Sequence, residues 1–390
     1  MLQLIDCFQK QDYNIIFSSP ASKNEKSFDL DSIGVKQKEI ELNNSSFGIF
    51  IKKLDPVIVL FDRFMMEEQF GWRVAEQCPN AIRILDTEDL HCLRRGRAKA
   101  INDYAEFDDG YLFNDTAKRE IASIYRCDLS LIISEFEMDL LINKFNIDEQ
   151  QLFYLPFLYE EISIEQQQNL PEFEQREHFV TIGNLLHEPN YNSIRHLKNT
   201  IWPLIREQLP DTEMHVYGAY ASQKVDRLNN QKEGFFIKGF ASDVNEVMQR
   251  SKVCLVPLKF GAGLKGKIFD AMINGTPCIT TSIGAEGIFG NLDPNGFIED
   301  ETQSFVNRAI ELYNNKTEWI QMQKNGFKAI KERFNRLNFE GKFLEKINQL
   351  QRNLYLFREK NFFGSILVHH SMQSTKYMSK WIEEKNRKKS

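Results

Sequence analysis

The chain has 390 residues, 42% of them hydrophobic and 27% charged, enough for two domains with separate cores. A formal net charge of −6 gives no overall basic field and argues against nucleic-acid binding. No signal-peptide pattern opens the sequence and no uncharged apolar run nears the ~18 residues that cross a bilayer, so a soluble, cytoplasmic protein is expected, with peripheral contact at the inner face of the membrane left open.

The first stretch, "MLQLIDCFQKQ", is helical in pattern, and the first strand candidate follows at 13–18. Further strand candidates at 57–62, 81–86, 129–134 and 151–155 alternate with helical stretches such as 67–78 and 116–125, the pattern of a parallel α/β sheet. Doubly wound domains usually open on a strand that becomes central, and none stands at that place. The expectation is a first domain without its opening strand, with an exposed sheet edge and a chain that is poorly soluble or inactive alone. "FDRF" ends the 57–62 strand and puts Asp62 and Arg63 at a carboxyl edge. Asp86, Glu88, Asp89 and His91 cluster after the next strand. Four ionisable groups within six residues read in two ways. They line a cleft, where neighbouring carboxylates raise one another's pKa, or they start a helix, with "DTED" as caps and Arg94, Arg95 and Arg97 as neutralising charges.

The stretch "EEISIEQQQNLPEFEQREH" at 160–178 is polar, acidic and aperiodic, as a linker would be. Strand candidates then restart at 178–183, 213–218, 235–239, 252–257, 277–281 and 296–300. Beyond residue 300 helical segments dominate, up to a basic tail, "STKYMSKWIEEKNRKKS", read as a solvated end or a contact for an acidic surface. The expected division is an N-terminal α/β domain over 1–165, a second α/β domain over 176–335 and a helical segment with the tail over 336–390. Both domains are read as doubly wound parallel sheets of Rossmann-like type, facing a cleft at the carboxyl ends of their strands. Cys7, Cys78, Cys92, Cys127, Cys254 and Cys278 form no CxxC pair and show no zinc spacing, so buried thiols and no metal site are expected.

The densest signal is "GAGLKGKIFDAMINGTPCITTSIGAEGI" at 261–288. An apolar strand precedes it, a helix over about 265–274 follows the glycines, and Gly275 and Pro277 end that helix. Strand, glycine loop and helix start together present backbone amides and the positive end of a dipole to an anion. Glycines alone would serve a tight turn equally well. Lys265 and Lys267 add the countercharge of a diphosphate site, with Gly261, Gly263 and Leu264 as the loop. Gly183 and Asn184 follow the first strand of the same domain and face the same edge. GAGLKG also fits G-x-G-x-x-G with Glu286 twenty residues on, a dinucleotide fingerprint. Its place after the fourth strand and its short helix count against that reading.

"VTIGNLLHEPNYNSIRHL", "WPLIREQLPDTEMHVYG" and "IKGFASDVNEVMQRSKVCLVPLKFGAGLKGKIFDAMINGTPCITTSIGAEG" together resemble the nucleotide-binding half of retaining glycosyltransferases of the family-4 type, which have the GT-B fold, over about 178–335. In the first half "LDTEDLHCLRRGRA" and "CDLSLIISEFEMDLL" look like acceptor-domain segments of such enzymes. The resemblance implies transfer of a sugar from a nucleoside-diphosphate sugar to a glycan, lipid-linked or other acceptor, with retention, no cofactor and no obligatory metal. It implies a donor and phosphate site at Gly183, Asn184, Gly261, Gly263, Leu264, Lys265, Lys267, Asp270 and Glu286. Catalytic candidates are Glu88, His91 and Asp270; acceptor-side candidates are Asp62, Arg63, Asp86 and Asp89. Glu286 either meets the sugar or orders its loop.

The sequence departs from the family pattern in two places. The usual glutamate, seven residues, glutamate is Ala262 and Asp270 here, which predicts altered sugar recognition. The Arg and Lys common after the first strand are replaced by Asn184 and by Glu188 or Pro189, leaving more of the countercharge to Lys265 and Lys267. In the family the opening strand carries a glycine loop near the acceptor, and this chain shows neither. An inactive nucleotide-sugar-binding protein and a GT-B-like nucleotide-sugar epimerase are the alternative readings.

Overall fold

The structure, a computed structural model, describes residues 1–23, 27–220 and 222–387. Two compact units divide the chain: 1–92, 113–158 and 339–390 form the first, 93–112 and 159–338 the second. Residues 93–112, expected in the first domain, thus have their contacts in the second unit, and 339–390, expected as a separate part, belong to the first.

In the first unit β1 (Ile16–Ser19) and β2 (Lys36–Glu39) pair in parallel, and among the described residues only with each other. β2 reads KQKE and is exposed throughout, so it carries no apolar pattern from which a strand could be predicted. The main sheet is β3 (Ile58–Asp62), β4 (Ile82–Asp86), β5 (Leu129–Ile132) and β6 (Leu152–Tyr154), in that order and wholly parallel. Ile82, Ile84, Leu129 and Leu131 of this sheet are covered by Leu4, Cys7 and Phe8 of the first helix (Leu2–Gln9) and by Phe343, Ile347 and Leu350 of the Glu340–Lys360 helix. The last part of the chain is therefore a wall of this core.

The basic tail is a further helix, Thr375–Arg387, and its last three residues lie outside the described ones. It is not a solvated end. Arg73 donates to Ser379 Oγ at 3.0 Å, the Ser45 amide donates to Glu383 at 2.9 Å, and Lys376 pairs with Glu76.

The second unit is a six-stranded parallel sheet of β7 (Glu177–Ile182), β8 (Met214–Tyr217), β9 (Phe235–Gly239), β10 (Ser251–Val256), β11 (Cys278–Thr280) and β12 (Gly296–Ile298), ordered β12-β11-β10-β7-β8-β9. Counted within the unit, this is the doubly wound order 3-2-1-4-5-6 read from the β9 edge. Val253 to Val256 are wholly buried, which is why β10 reads as an unbroken apolar run. Phe179, Val253, Leu255, Trp202 and Phe305 are among the residues that form the core between sheet and helices.

Part of the expected linker is ordered. Ser163 and Gln166 close a capping box on a short helix (Ile164–Gln168). At its end the buried Arg176 guanidinium donates to Asn274 O at 2.9 Å, Thr276 Oγ1 at 2.8 Å and Pro171 O at 2.9 Å. Burial pulls its pKa down to about 10. A cation thus sits at the carboxyl end of the Gly266–Ile273 helix, where the helix dipole is negative. All six cysteines are buried thiols.

Candidate functional site

In the second unit the strand order reverses between β7 and β10, which are paired neighbours. Chains leaving these strands diverge there, and the crevice at their carboxyl ends is where such sheets take ligands. Gly183 and Asn184 leave β7, and 261–267 follow β10, so the two glycine-bearing loops meet at the switch point.

Local conformation explains the residues. Gly263 has φ +63°, a value that disfavours any side chain. The helix Gly266–Ile273 begins after Lys265, which makes no capping bond with its own side chain. The buried Lys265 Nζ instead donates back to Gly263 O at 2.6 Å and braces the loop. Lys267 Nζ donates to Asn190 Oδ1 at 2.8 Å, and Asn190 Nδ2 donates to Asn184 O at 2.9 Å, which ties the two loops together. A Cβ on Gly183 would lie 2.7 Å from Asn190 Nδ2 and 3.2 Å from Lys267 Nζ, so only glycine leaves this junction its shape.

Burial lowers the Lys267 pKa to about 8, against the raising effects of Cys254 and Asp270. Asp270 is pushed up to about 6, also by burial, with Lys267 pulling the other way. Tyr159 stacks on Phe269 at 5.7 Å, and burial, then Asp270, raises its phenol above the ordinary value. A diphosphate entering this crevice needs the charged lysine. That form predominates below about pH 8 and gives way to the neutral amine above it, so nucleoside-diphosphate affinity is expected to fall about tenfold between about pH 7 and about pH 9. Calorimetric titration across that range checks this, and a flat profile would show that Lys267 does not meet the phosphates.

Glu286 lies in the loop after the short Ser282–Ala285 helix, and Arg97 grips it with both terminal nitrogens, Nη1 at 3.0 Å and Nη2 at 2.6 Å. The same Nη1 donates to Gly261 O at 2.9 Å. Arg97, one of three charges read from the sequence as neutralising the DTED acids, is thus bonded to Glu286 and Gly261. It locks the glycine loop to the 286 loop across a separation of 189 residues, a pairing without a local sequence signal. Asn190 and Tyr159 carry no signal in the sequence, and Arg97 was legible there only as a local charge, not as the partner of Glu286.

In the first unit Asp62 and Asp86 are register partners at the carboxyl ends of β3 and β4. Asp62 accepts from Arg63 Nε at 2.9 Å. Burial, then Glu88, raises Asp86 to about 7. Arg63 and Glu88 both have positive φ, +68° and +60°, backbone strain of the kind stored at functional edges. His91 is buried, edge-on to Phe64 at 5.3 Å, with Nε2 3.3 Å from Asp89.

The helix His91–Asn102 draws its first backbone acceptors from outside DTED. Its first amides donate to distant buried carboxylates: His91 N to Glu120 at 2.8 Å, Cys92 N to Glu120 at 2.7 Å, and the preceding Leu90 N to Glu137 at 3.0 Å. Two acids that no spacing marks thus fill the role.

Residues 176–315 match the family model described as Glycosyl transferases group 1. An uncharacterized 44.6 kDa protein in the cps region of Klebsiella pneumoniae is 25% identical over 160 residues, 39% of this chain and 41% of that protein. The solved structure of Anabaena Alr3699/HepE with UDP and glucose superposes with a TM-score of 0.67 at 12% identity, over 89% of this chain and 95% of that one. A TarM variant of S. aureus, solved with fondaparinux, alpha-GlcNAc-glycerol and UDP, gives 0.61 at 16% identity over 77% of this chain and 58% of that one. The chain thus spans well under two thirds of the curated relative it matches and of TarM. The α/β class with parallel sheets and a helical C-terminal region is the fold expected. Residues 176–315 are thus similar to glycosyl transferases group 1, within a fold shared with solved GT-B proteins.

Proposed function

We propose that the protein is a retaining, metal-independent glycosyltransferase that moves a sugar from a nucleoside-diphosphate sugar to a glycan, lipid-linked or other acceptor. The observation that carries this reading is the meeting of the Gly183 and 261–267 loops at the topological switch point, with the buried Lys265 and the half-buried Lys267 in one of them. A leaving diphosphate gathers charge as the glycosidic bond breaks, and fixed donors aimed at that charge lower the barrier. Lys267, the amides at the start of the Gly266–Ile273 helix and the helix dipole are such donors, and Lys265 and Arg97 hold the loop that presents them. Asp270, shorter by one methylene than the glutamate of the family pattern, is assigned to the ribose hydroxyls. Burial, then Glu88, holds the Asp86 carboxyl well above the ordinary carboxylate range, and Glu88 and His91 stand beside it in the chain; this group is assigned to the acceptor hydroxyl.

Ala262 favours a second reading, because it offers no carboxylate to the sugar: a protein that holds a nucleotide sugar without turning it over. The separating experiment incubates the chain with UDP- and GDP-sugars, UDP first because two similar structures hold it. A saturating donor at a hundred times its Kd raises stability by ~2.7 kcal/mol, which a thermal shift detects. Nucleotide release only with an acceptor supports transfer, isomerised sugar means an epimerase, and binding without turnover means the second reading. No shift with any nucleotide sugar would defeat all three.

A further inference from the structure

The C-terminal helices carry a surface that the transfer reading does not use. Residues 361–390 hold six lysines and arginines against two glutamates, a net of +4 in a chain whose total is −6. The same segment exposes large apolar side chains: Phe362 and Phe363 are each 69% exposed, and Trp381 is 58% exposed.

Phe362 and Trp381 are outward by construction, while Phe363 also meets the Tyr125 ring at 6.2 Å. The Phe362–Gln373 helix is seated through Gly364, whose Cβ would come within 2.2 Å of Tyr125 O, and through Asn361, whose Nδ2 donates to the same carbonyl at 2.7 Å. Phe362 and Ile366 stand two residues either side of Gly364, some 200° round the helix, and so point away from the seat. The Thr375–Arg387 helix is seated through Ser379 on Arg73, and Tyr377 and Trp381 stand two residues either side of Ser379. The two seats lie on neighbouring helices, Asp115–Arg126 and Phe64–Gln77, which the Arg126–Glu67 ion pair joins. Lys385 Nζ lies 4.9 Å over the Trp381 ring. Aromatic rings with ammonium groups beside them match the boundary between acyl chains and anionic headgroups. No helix among the described residues is long and apolar enough to cross a membrane, so this face would lie on one.

We propose that the outward face of the Phe362–Gln373 and Thr375–Arg387 helices docks on an anionic phospholipid bilayer. A second copy of the same face is disfavoured by its like charge, and an acidic protein would leave the exposed phenyl rings without an apolar phase to enter. The proposal does not depend on sugar transfer. Its test is flotation of the full chain with vesicles of phosphatidylcholine alone or with about one third phosphatidylglycerol, in about 0.1 M and about 0.5 M salt. Binding is expected to the anionic vesicles, weaker at high salt and near absent on phosphatidylcholine. F362S/F363S/W381S and, separately, K380E/K385E should each lower vesicle affinity about tenfold or more while thermal unfolding stays within a few degrees of the parent. Absence of binding to anionic vesicles would overturn the proposal, as would variants that fold and bind like the parent. Self-association that the triple substitution abolishes would assign the face to a second copy instead, and capture of an acidic protein without vesicle binding would assign it to that class.

Discussion

Replacing Lys267 by alanine is expected to weaken UDP or GDP binding about a hundredfold and to leave uridine or guanosine binding unchanged, as measured by calorimetry. Burial makes this ammonium group costly to keep charged, and its depressed pKa reports that cost. A diphosphate restores to it the interactions that water would have given, and one hydrogen bond between buried charged partners contributes about 1.5–3 kcal/mol. The substitution also removes the cation beside Asp270, whose carboxyl then moves further up from about 6, so part of the hydrogen-bonding capacity toward a ribose goes with it. Lys267→Arg should not rescue binding, because the ammonium already touches Asn190 and stands 3.2 Å from the position of a Gly183 Cβ, leaving no room for a guanidinium. Lys265→Ala should lose less, about tenfold, since that side chain is turned onto Gly263 O and acts through loop shape. Equal losses for nucleotide and nucleoside would show that neither lysine sees phosphate.

The sheets were legible because parallel strands buried on both faces read as apolar runs. "KVCLVP" became β10 and "PCITT" became β11, each within two residues. β2 escaped because an exposed parallel edge of KQKE leaves no periodic trace. The glycine loop was legible for a different reason: backbone approach and positive φ demand glycine, and helix starts demand few alternatives. Partners were not legible. Asn190 under Lys267, Arg97 on Glu286 and Glu120 on the His91 helix are all set by tertiary proximity across tens to hundreds of residues. The DTED stretch shows the limit well. Local rules read its acids as caps, whereas the fold brings two remote carboxylates to cap the helix and leaves Asp86 buried with a raised pKa.

Arg97→Ala is expected to have the largest effect on stability of any single change near the loop. The guanidinium is 8% exposed and the Glu286 carboxylate 13% exposed, so removing one partner strands a buried charge, at about 3–5 kcal/mol. For a unit of this size that corresponds to a fall in Tm of about 10 °C. Lost packing on Phe107, over which the guanidinium lies at 5.7 Å, adds to it. Stability and function separate in the double variant Arg97→Met, Glu286→Leu. Replacing both charges with apolar groups of similar volume should recover most of the Tm, since no carboxylate is then left unpaired. It cannot recover the hydrogen bond to Gly261 O, so the loop that bears Gly263 and Lys265 loses its anchor and nucleotide affinity should stay about tenfold down. A double variant that is stable and binds UDP or GDP like the parent would mean that the pair only holds the fold together. One that stays as unstable as Arg97→Ala would mean that the stranded charge is not what the single substitution costs.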